Sequence, residues 1–253
     1  MNGTAKAPSK WSFAVSVSHS TFEIDVQPQR KVPREPLPGS ANRSLYCRFG
    51  KRALDVLMAS VALILLSPLF LLIALLVRAT SNGPALHREN RVGRDARIFP
   101  ILKFRTTAAD AEQDGWAIGI EEEEEVTHFG RILRALNLDE LPQLWNVLRG
   151  DMSLVGPRPE IPSYVAAYTR QQLRVLTVRP GMADVAWIQS RREEPLLTRA
   201  TDREEFYRRV LLPEKLLLNL EYIDRASFRL DMKVIAQKGR SIFGAGRVRE
   251  DSR

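Results

Sequence analysis

The chain has 253 residues, enough for one domain with a real core plus an extension. Its formal net charge of +8 and pI near 9.9 suit an anionic partner: nucleic acid, anionic lipid or a phosphorylated substrate. A single cysteine, Cys47, excludes an internal disulfide, and three scattered histidines, His19, His87 and His128, argue against a Cys/His zinc site.

The first residues hold no continuous apolar run, so no cleavable signal peptide is expected. Residues 11–18 alternate Trp11, Phe13, Val15 and Val17 against small polar residues, and residues 22–26 alternate Phe22, Ile24 and Val26 against Glu23 and Asp25. Period two is the mark of half-buried strands, with Ser18 to Thr21 as the turn; a polar tail with chance alternation is the competing reading. Gln27 to Asn42 carries four prolines, Gly39 and several charges, and reads as a linker.

Val56 to Val77 contains no charged residue and is long enough to span a bilayer as one helix. Two features resist a straight span. Ser67-Pro68 falls near its middle, where proline kinks a helix and frees a carbonyl. Both flanks are basic, with Arg43, Arg48, Lys51 and Arg52 before and Arg78, Arg88, Arg91 and Arg94 after, which favours both ends on the cytoplasmic side. A bent helix that enters and leaves by one face satisfies both observations. A buried core helix is the third option, against which the length argues.

Asn82-Gly83-Pro84 is a turn signal, and Arg97 to Phe104 reads as a short strand leading into Lys103-Phe104-Arg105-Thr106. Thr106 to Asp114 has the pattern of a short polar helix. The run Glu121 to Glu125 lacks the spaced oxygens of a calcium loop and reads as a solvated, self-repelling segment. Phe129 to Leu136 is helical in pattern.

The stretch Leu138 to Pro159 is the densest in chemistry. Asp139 and Glu140 are adjacent carboxylates, which repel unless a cation or helix N-terminus sits on them. Pro142 is tolerated only in a first helical turn, so the pair belongs near a helix start, where free N–H groups favour phosphate. The same residues outline a capping box, Asn137 with Glu140, although a cap leaves Asp139 unexplained. Arg158 stands between Pro157 and Pro159.

Beyond it, Tyr168 to Thr177 reads as a helix ended by Arg179-Pro180-Gly181. Arg191 to Glu205 is dense in both charge signs. Glu204 to Arg225 is amphipathic, with Pro213 dividing it, and suits packing on the core or lying in a membrane interface. Ser227 to Gln237 reads as a last helix, and the tail from Lys238 as basic and loose.

Leu138-Asp139-Glu140-Leu141-Pro142-Gln143, followed by Gly150-Asp151-Met152-Ser153-Leu154-Val155-Gly156-Pro157-Arg158-Pro159, resembles the bacterial sugar transferase family, the monotopic polyprenol-phosphate phosphoglycosyl transferases. The resemblance runs from about Lys51 to Ala236 and extends to Lys103-Phe104-Arg105-Thr106, Arg179-Pro180-Gly181 and Leu230-Asp231. Met182-Ala183-Asp184 departs from the family's usual residues. The resemblance implies a mainly helical α+β fold: a re-entrant membrane hairpin broken at Ser67 and Pro68, and a compact cytoplasmic catalytic domain with amphipathic interfacial helices and few short strands. The chain would divide into an extension and linker (1–45), the membrane helix (46–80), the catalytic domain (81–240) and a basic tail (241–253).

The implied reaction moves a sugar-1-phosphate from a nucleotide, by family UDP, sugar to polyprenol phosphate at the bacterial inner membrane, initiating surface glycan synthesis. Asp139 would be the nucleophile, Glu140 the Mg²⁺ ligand, and Arg134 and Arg158 the phosphate clamps, with Lys103 and Arg105 as further candidates. The implied partners are the nucleotide-diphosphate sugar, polyprenol phosphate, the lipid bilayer and a second copy of the chain, and no nucleic acid. Rival readings are a membrane-anchored interaction protein whose acidic pair only caps a helix, a metal-dependent phosphohydrolase, and a basic nucleic-acid binder, which would leave the apolar run unexplained.

Overall fold

The computed structural model describes residues 12–17, 20–25, 45–81, 83–107, 126–186 and 202–244. The proline-rich linker, the polar helix expected beyond Thr107, the glutamate run, most of the charged segment 191–205 and the end of the tail lie outside the described residues. Strands β1 (Ser12–Val17) and β2 (Ser20–Asp25) pair antiparallel from Ser12↔Asp25 to Val17↔Ser20. The alternation in the first 26 residues is therefore a strand signal rather than chance.

A π-helical turn, Tyr46–Gly50, leads into α1 (Lys51–Leu65), and α2 (Ser67–Thr80) follows after a bend of 62°. Pro68 sits in the first turn of α2, where its missing N–H breaks no helical hydrogen bond. The Ser67 hydroxyl donates to the Ile64 carbonyl at 2.8 Å, so the break supplies its own polar partner. Among the described residues no single helix is long and apolar enough to cross a membrane; this bent pair reaches the necessary length and composition together. Ile64, Leu65, Leu71, Leu72 and Leu75 around the bend are exposed.

One side of the hairpin faces protein. Ala59 joins Phe99, Ile101, Leu144, Val147 and Met152 in one cluster, and Ile73 and Val77 join Phe104 and Leu133 in another. These partners come from β4 (Ile98–Phe104), which pairs antiparallel with β3 (Leu86–Val92), from helices α3 (His128–Ala135) and α4 (Gln143–Arg149), and from Met152 just beyond α4. Thr127 caps α3, accepting from Gly130 N–H at 2.9 Å. Gly150 ends α4 at φ +92°, a conformation that favours glycine.

Short strands β5 (Ser153–Val155) and β6 (Gly181–Ala183) pair in parallel. Gly156 and Gly181 let the two chains approach, since a Cβ on Gly181 would lie 2.1 Å from the Gly156 nitrogen. Between them come α5 (Pro162–Val165) and a 3₁₀ turn, Gln172–Thr177, shorter than the helix the sequence suggested for 168–177. The amphipathic segment splits into α6 (Arg203–Phe206), a π-helical stretch Tyr207–Leu211 and α7 (Leu212–Arg225), with Pro213 tolerated in the first turn of α7. Leu211, Leu216, Leu220 and Ile223 pack on Tyr164, Val165 and Leu173 to form the largest core cluster.

The last helix, α8 (Phe228–Gly244), is longer than expected. Lys238 lies inside it rather than in a loose tail. Asp231 and Lys51 form an ion pair that Tyr46 and Tyr222 join, which ties the start of the hairpin to α7 and α8.

Candidate active site

Asp139 and Glu140 occupy a tight turn between α3 and α4. Asn137, at φ +53°, closes α3, with Leu138 N–H reaching back to the Leu133 carbonyl at 2.9 Å. Helix α4 begins only at Gln143, with Pro142 at its N-cap and no side-chain cap. The capping box is therefore not formed, and neither carboxylate serves as a helix cap. Phe104 N–H donates to the Asp139 carbonyl at 2.8 Å and fastens the turn to the end of β4. Asn146 of α4 makes a second tie, accepting from Leu102 N–H at 3.0 Å and donating to the Pro100 carbonyl at 2.9 Å.

The two carboxylates live in opposite environments. Glu140 receives Lys238 Nζ at 3.0 Å and Arg158 Nη1 at 3.5 Å. Burial alone would raise its pKa, but Lys238, Arg158 and Lys103 outweigh burial and bring it to about 2. No ion pair engages Asp139 among the described residues. Burial and the neighbouring Glu140 charge push its pKa up to about 6, and Lys103 and Arg134 oppose them more weakly. The two adjacent acids thus sit in environments of opposite electrostatic character.

Of the basic residues proposed from sequence, Lys103, Arg134 and Arg158 all act on this pair. Arg158 keeps 43 % of its side chain exposed, so its fork still has an open face. Arg134 donates through Nε and Nη2 to the Thr106 hydroxyl at 2.9 and 2.7 Å. Arg105 differs: it is buried and donates to the Ser81 carbonyl and hydroxyl at 3.0 and 2.8 Å, joining β4 to the end of α2. Ser67 and Pro68 stand at the hairpin bend.

Several members of the site were not found in the sequence. Lys238 also donates to the Met182 carbonyl at 2.6 Å, bridging α8, β6 and the acidic turn. Glu89 pairs with Arg91 and, at 3.5 Å, with Lys103, while Glu160 accepts from Tyr207 at 2.8 Å and lies 3.8 Å from Arg91. A usable signal existed for Lys238. It follows buried Asp231 and Val234 by seven and four positions, so a charge stands on the inner face of a helix.

Among the described residues no group of three or more His, Cys, Asp or Glu side chains is arranged to hold a metal. An all-protein cage is therefore absent from them. An ionised Glu140 beside Asp139 does fit Mg²⁺, which takes one or two carboxylates and fills its remaining positions with phosphate oxygens and water.

A family model described as bacterial sugar transferase matches residues 46–245. The chain is 36% identical over 227 residues to the UDP-glucose:undecaprenyl-phosphate glucose-1-phosphate transferase of Caulobacter vibrioides, covering 84% of this chain and 76% of that one. It is 42% identical over 154 residues to the UDP-N-acetylgalactosamine-undecaprenyl-phosphate N-acetylgalactosaminephosphotransferase of Aeromonas hydrophila, covering 60% of this chain but only 36% of that longer protein. The exopolysaccharide production protein ExoY of Rhizobium meliloti is 38% identical over 164 residues, 59% of this chain and 73% of ExoY.

Proposed function

The chain belongs to the bacterial sugar transferase family, and on that premise we propose that it transfers a sugar-1-phosphate from a UDP-sugar to polyprenol phosphate through an aspartyl-phosphosugar intermediate. The observation that carries this reading is the unequal acidic pair: Glu140 is held by two cations, while among the described residues no cation pairs with Asp139, which is more basic than an ordinary aspartate. A carboxylate with a raised pKa is the better nucleophile of the two, provided the pH leaves it ionised.

In the first step an Asp139 carboxylate oxygen bonds to the sugar-bearing phosphorus. The bond from that phosphorus to the bridging oxygen breaks, and UMP leaves with the electron pair. In the second step an oxygen of polyprenol phosphate attacks the same phosphorus, and the bond to Asp139 breaks. The lipid diphosphate sugar leaves, and the carboxylate is restored. Arg158 and Lys103 hold the non-bridging oxygens as charge shifts toward the leaving group, and Arg134 steadies the donor from α3. Glu140 is the residue to hold Mg²⁺, which would neutralise charge on the diphosphate. The hairpin, with its exposed apolar bend, lies in the cytoplasmic leaflet of the inner membrane, and the site beside it meets a lipid-borne phosphate and a soluble donor together.

A panel of nucleotide sugars, incubated with Mg²⁺ and polyprenol phosphate, tests the assignment. Nucleoside monophosphate and a lipid diphosphate sugar should form in equal amounts. Inorganic phosphate or sugar phosphate released to water with no lipid product would mean a phosphohydrolase instead.

A further inference from the structure

On the far side of α4 from the acidic turn lies a cavity of about 540 Å³. Asp139 and Glu140 precede the first residue of α4, whereas Arg52, in the cavity wall, donates to the Val147 and Leu148 carbonyls at its other end, at 2.6 and 2.9 Å. Seven helical residues, roughly 10 Å, separate the two places. Arg48, Arg52 and Arg179 line the cavity, and among the described residues none of the three has a carboxylate in ion-pair range. Arg94 also faces it, paired with Asp95 at its own exposed surface. The one carboxylate in the wall is Asp55. Its Oδ1 accepts from Ser153 and Leu154, and its buried Oδ2 has no partner. Burial, with Arg94 and Arg52 close by, pushes the Arg179 guanidinium below its ordinary pKa, the sign of positive charge short of counter-charge.

The cavity is continuous with a shallower groove of about 890 Å³ that shares Arg48, Arg52, Arg94 and Arg179 and then runs along α1 past Phe49, Val56 and Leu57. Phe49 and Leu57 are each 62 % exposed. One end is thus cationic and enclosed, and the other is apolar and parallel to the membrane hairpin. Free anions have no use for the apolar end, and a lipid without net negative charge leaves the crowded guanidinium charge uncompensated.

We propose that this crevice is a second, non-catalytic lipid site that seats the phosphate headgroup of an anionic phospholipid, with an acyl chain along α1. The inference rests on the membrane reading given above. The occupant is a bulk phospholipid rather than the polyprenol phosphate acceptor, because a phosphate held among Arg48, Arg52, Arg94 and Arg179 stands a whole helix away from Asp139. Guanidinium forks suit a phosphate diester, and cations at the interface attract anionic lipid. Seating one lipid here would fix the depth and tilt of the hairpin relative to the active site.

The test uses the full chain in detergent, titrated with phosphatidylglycerol, phosphatidylcholine or polyprenol phosphate and read by native mass spectrometry. Phosphatidylglycerol should be retained over phosphatidylcholine, and the double variant Arg48→Gln, Arg94→Gln should lose that preference by on the order of tenfold. These two side chains hold no helix end, so the melting temperature of the variant should match the wild type. Equal retention of both phospholipids, or a variant that keeps the preference, overturns the proposal. So does selective retention of polyprenol phosphate, which would make the crevice an acceptor site. Displacement of phosphatidylglycerol by excess inorganic phosphate would reduce it to a plain anion site, which also overturns it. Flotation with phosphatidylcholine vesicles separates this from the broader reading: a chain that floats without anionic preference keeps its membrane hairpin and loses only the lipid site.

Discussion

Asp139 and Glu140 are neighbours in sequence, yet their surroundings pull them apart in pKa, and pH should expose the difference. Asp139 titrates near 6, so formation of the covalent intermediate should fall as pH drops below about 6 and its carboxylate protonates. A single-turnover pH profile of UMP release measures this. For stability the sign is the reverse of the usual aspartate case. The folded state binds the Asp139 proton more tightly than the unfolded state does, so the protein loses stability as pH rises from about 4 to about 6. Asp139→Asn removes that penalty and should stabilise the fold above pH 6 by about 1–2 kcal/mol once partial exposure is allowed for, seen as a higher melting temperature, while abolishing turnover. Glu140 behaves in the ordinary direction: its contribution is present above about pH 4.5 and is lost as pH falls toward 2. Glu140→Gln takes a counter-charge from Lys238 and Arg158, so it should lower stability and raise the Mg²⁺ concentration that turnover needs, with excess Mg²⁺ restoring part of the rate. Thermal melts across pH and a magnesium titration distinguish the two substitutions.

At the scale of elements, the site depends on how α4 and α8 are fastened to strands. Asn146→Leu leaves the Leu102 N–H and the Pro100 carbonyl without their partner, a loss of about 1–3 kcal/mol, and lets the acidic turn shift. Turnover should fall roughly tenfold through misplacement, with no change in the pH profile. Lys238→Met should destabilise by a similar amount, because among the described residues the carboxylate then keeps only the more exposed Arg158 as a direct ion-pair partner. Periodicity and the Leu138 to Pro159 motif were enough to find the strand ending at Phe104, helix α3, the helix break at Ser67-Pro68 and the acidic pair itself. What they could not show is pairing between distant segments. The Lys238–Glu140 bridge joins residues 98 apart, and Glu89 reaches Lys103 only because β3 and β4 share a register. Local pattern also misplaced the start of α4, because Asn137 takes a left-handed conformation that closes the preceding helix instead of capping the next. Arg105 looked like a phosphate ligand beside Lys103, since alternation keeps positions two apart on one face, but β4 ends at Phe104 and beyond it Arg105 turns to Ser81.

For the molecule as a whole, the bend between α1 and α2 and the Lys51–Asp231 pair at the hairpin's base place both ends of the apolar segment against the same protein body. Single cysteines at exposed Leu45 and Pro84, in a Cys47→Ser background, should both resist an impermeant thiol reagent applied to intact spheroplasts and both react after lysis. Labelling of one position from outside would mean a straight span. The central claim is the covalent aspartyl intermediate, and intact-protein mass spectrometry tests it most directly. The full chain is mixed with its UDP-sugar and Mg²⁺ without acceptor, quenched in acid and weighed. The account predicts a mass increase of one sugar-phosphate, released UMP in equal amount, an adduct mapping to the peptide that contains Asp139, and none in Asp139→Asn. Full turnover on adding polyprenol phosphate with no adduct at any earlier time, or an adduct on another residue, would contradict it.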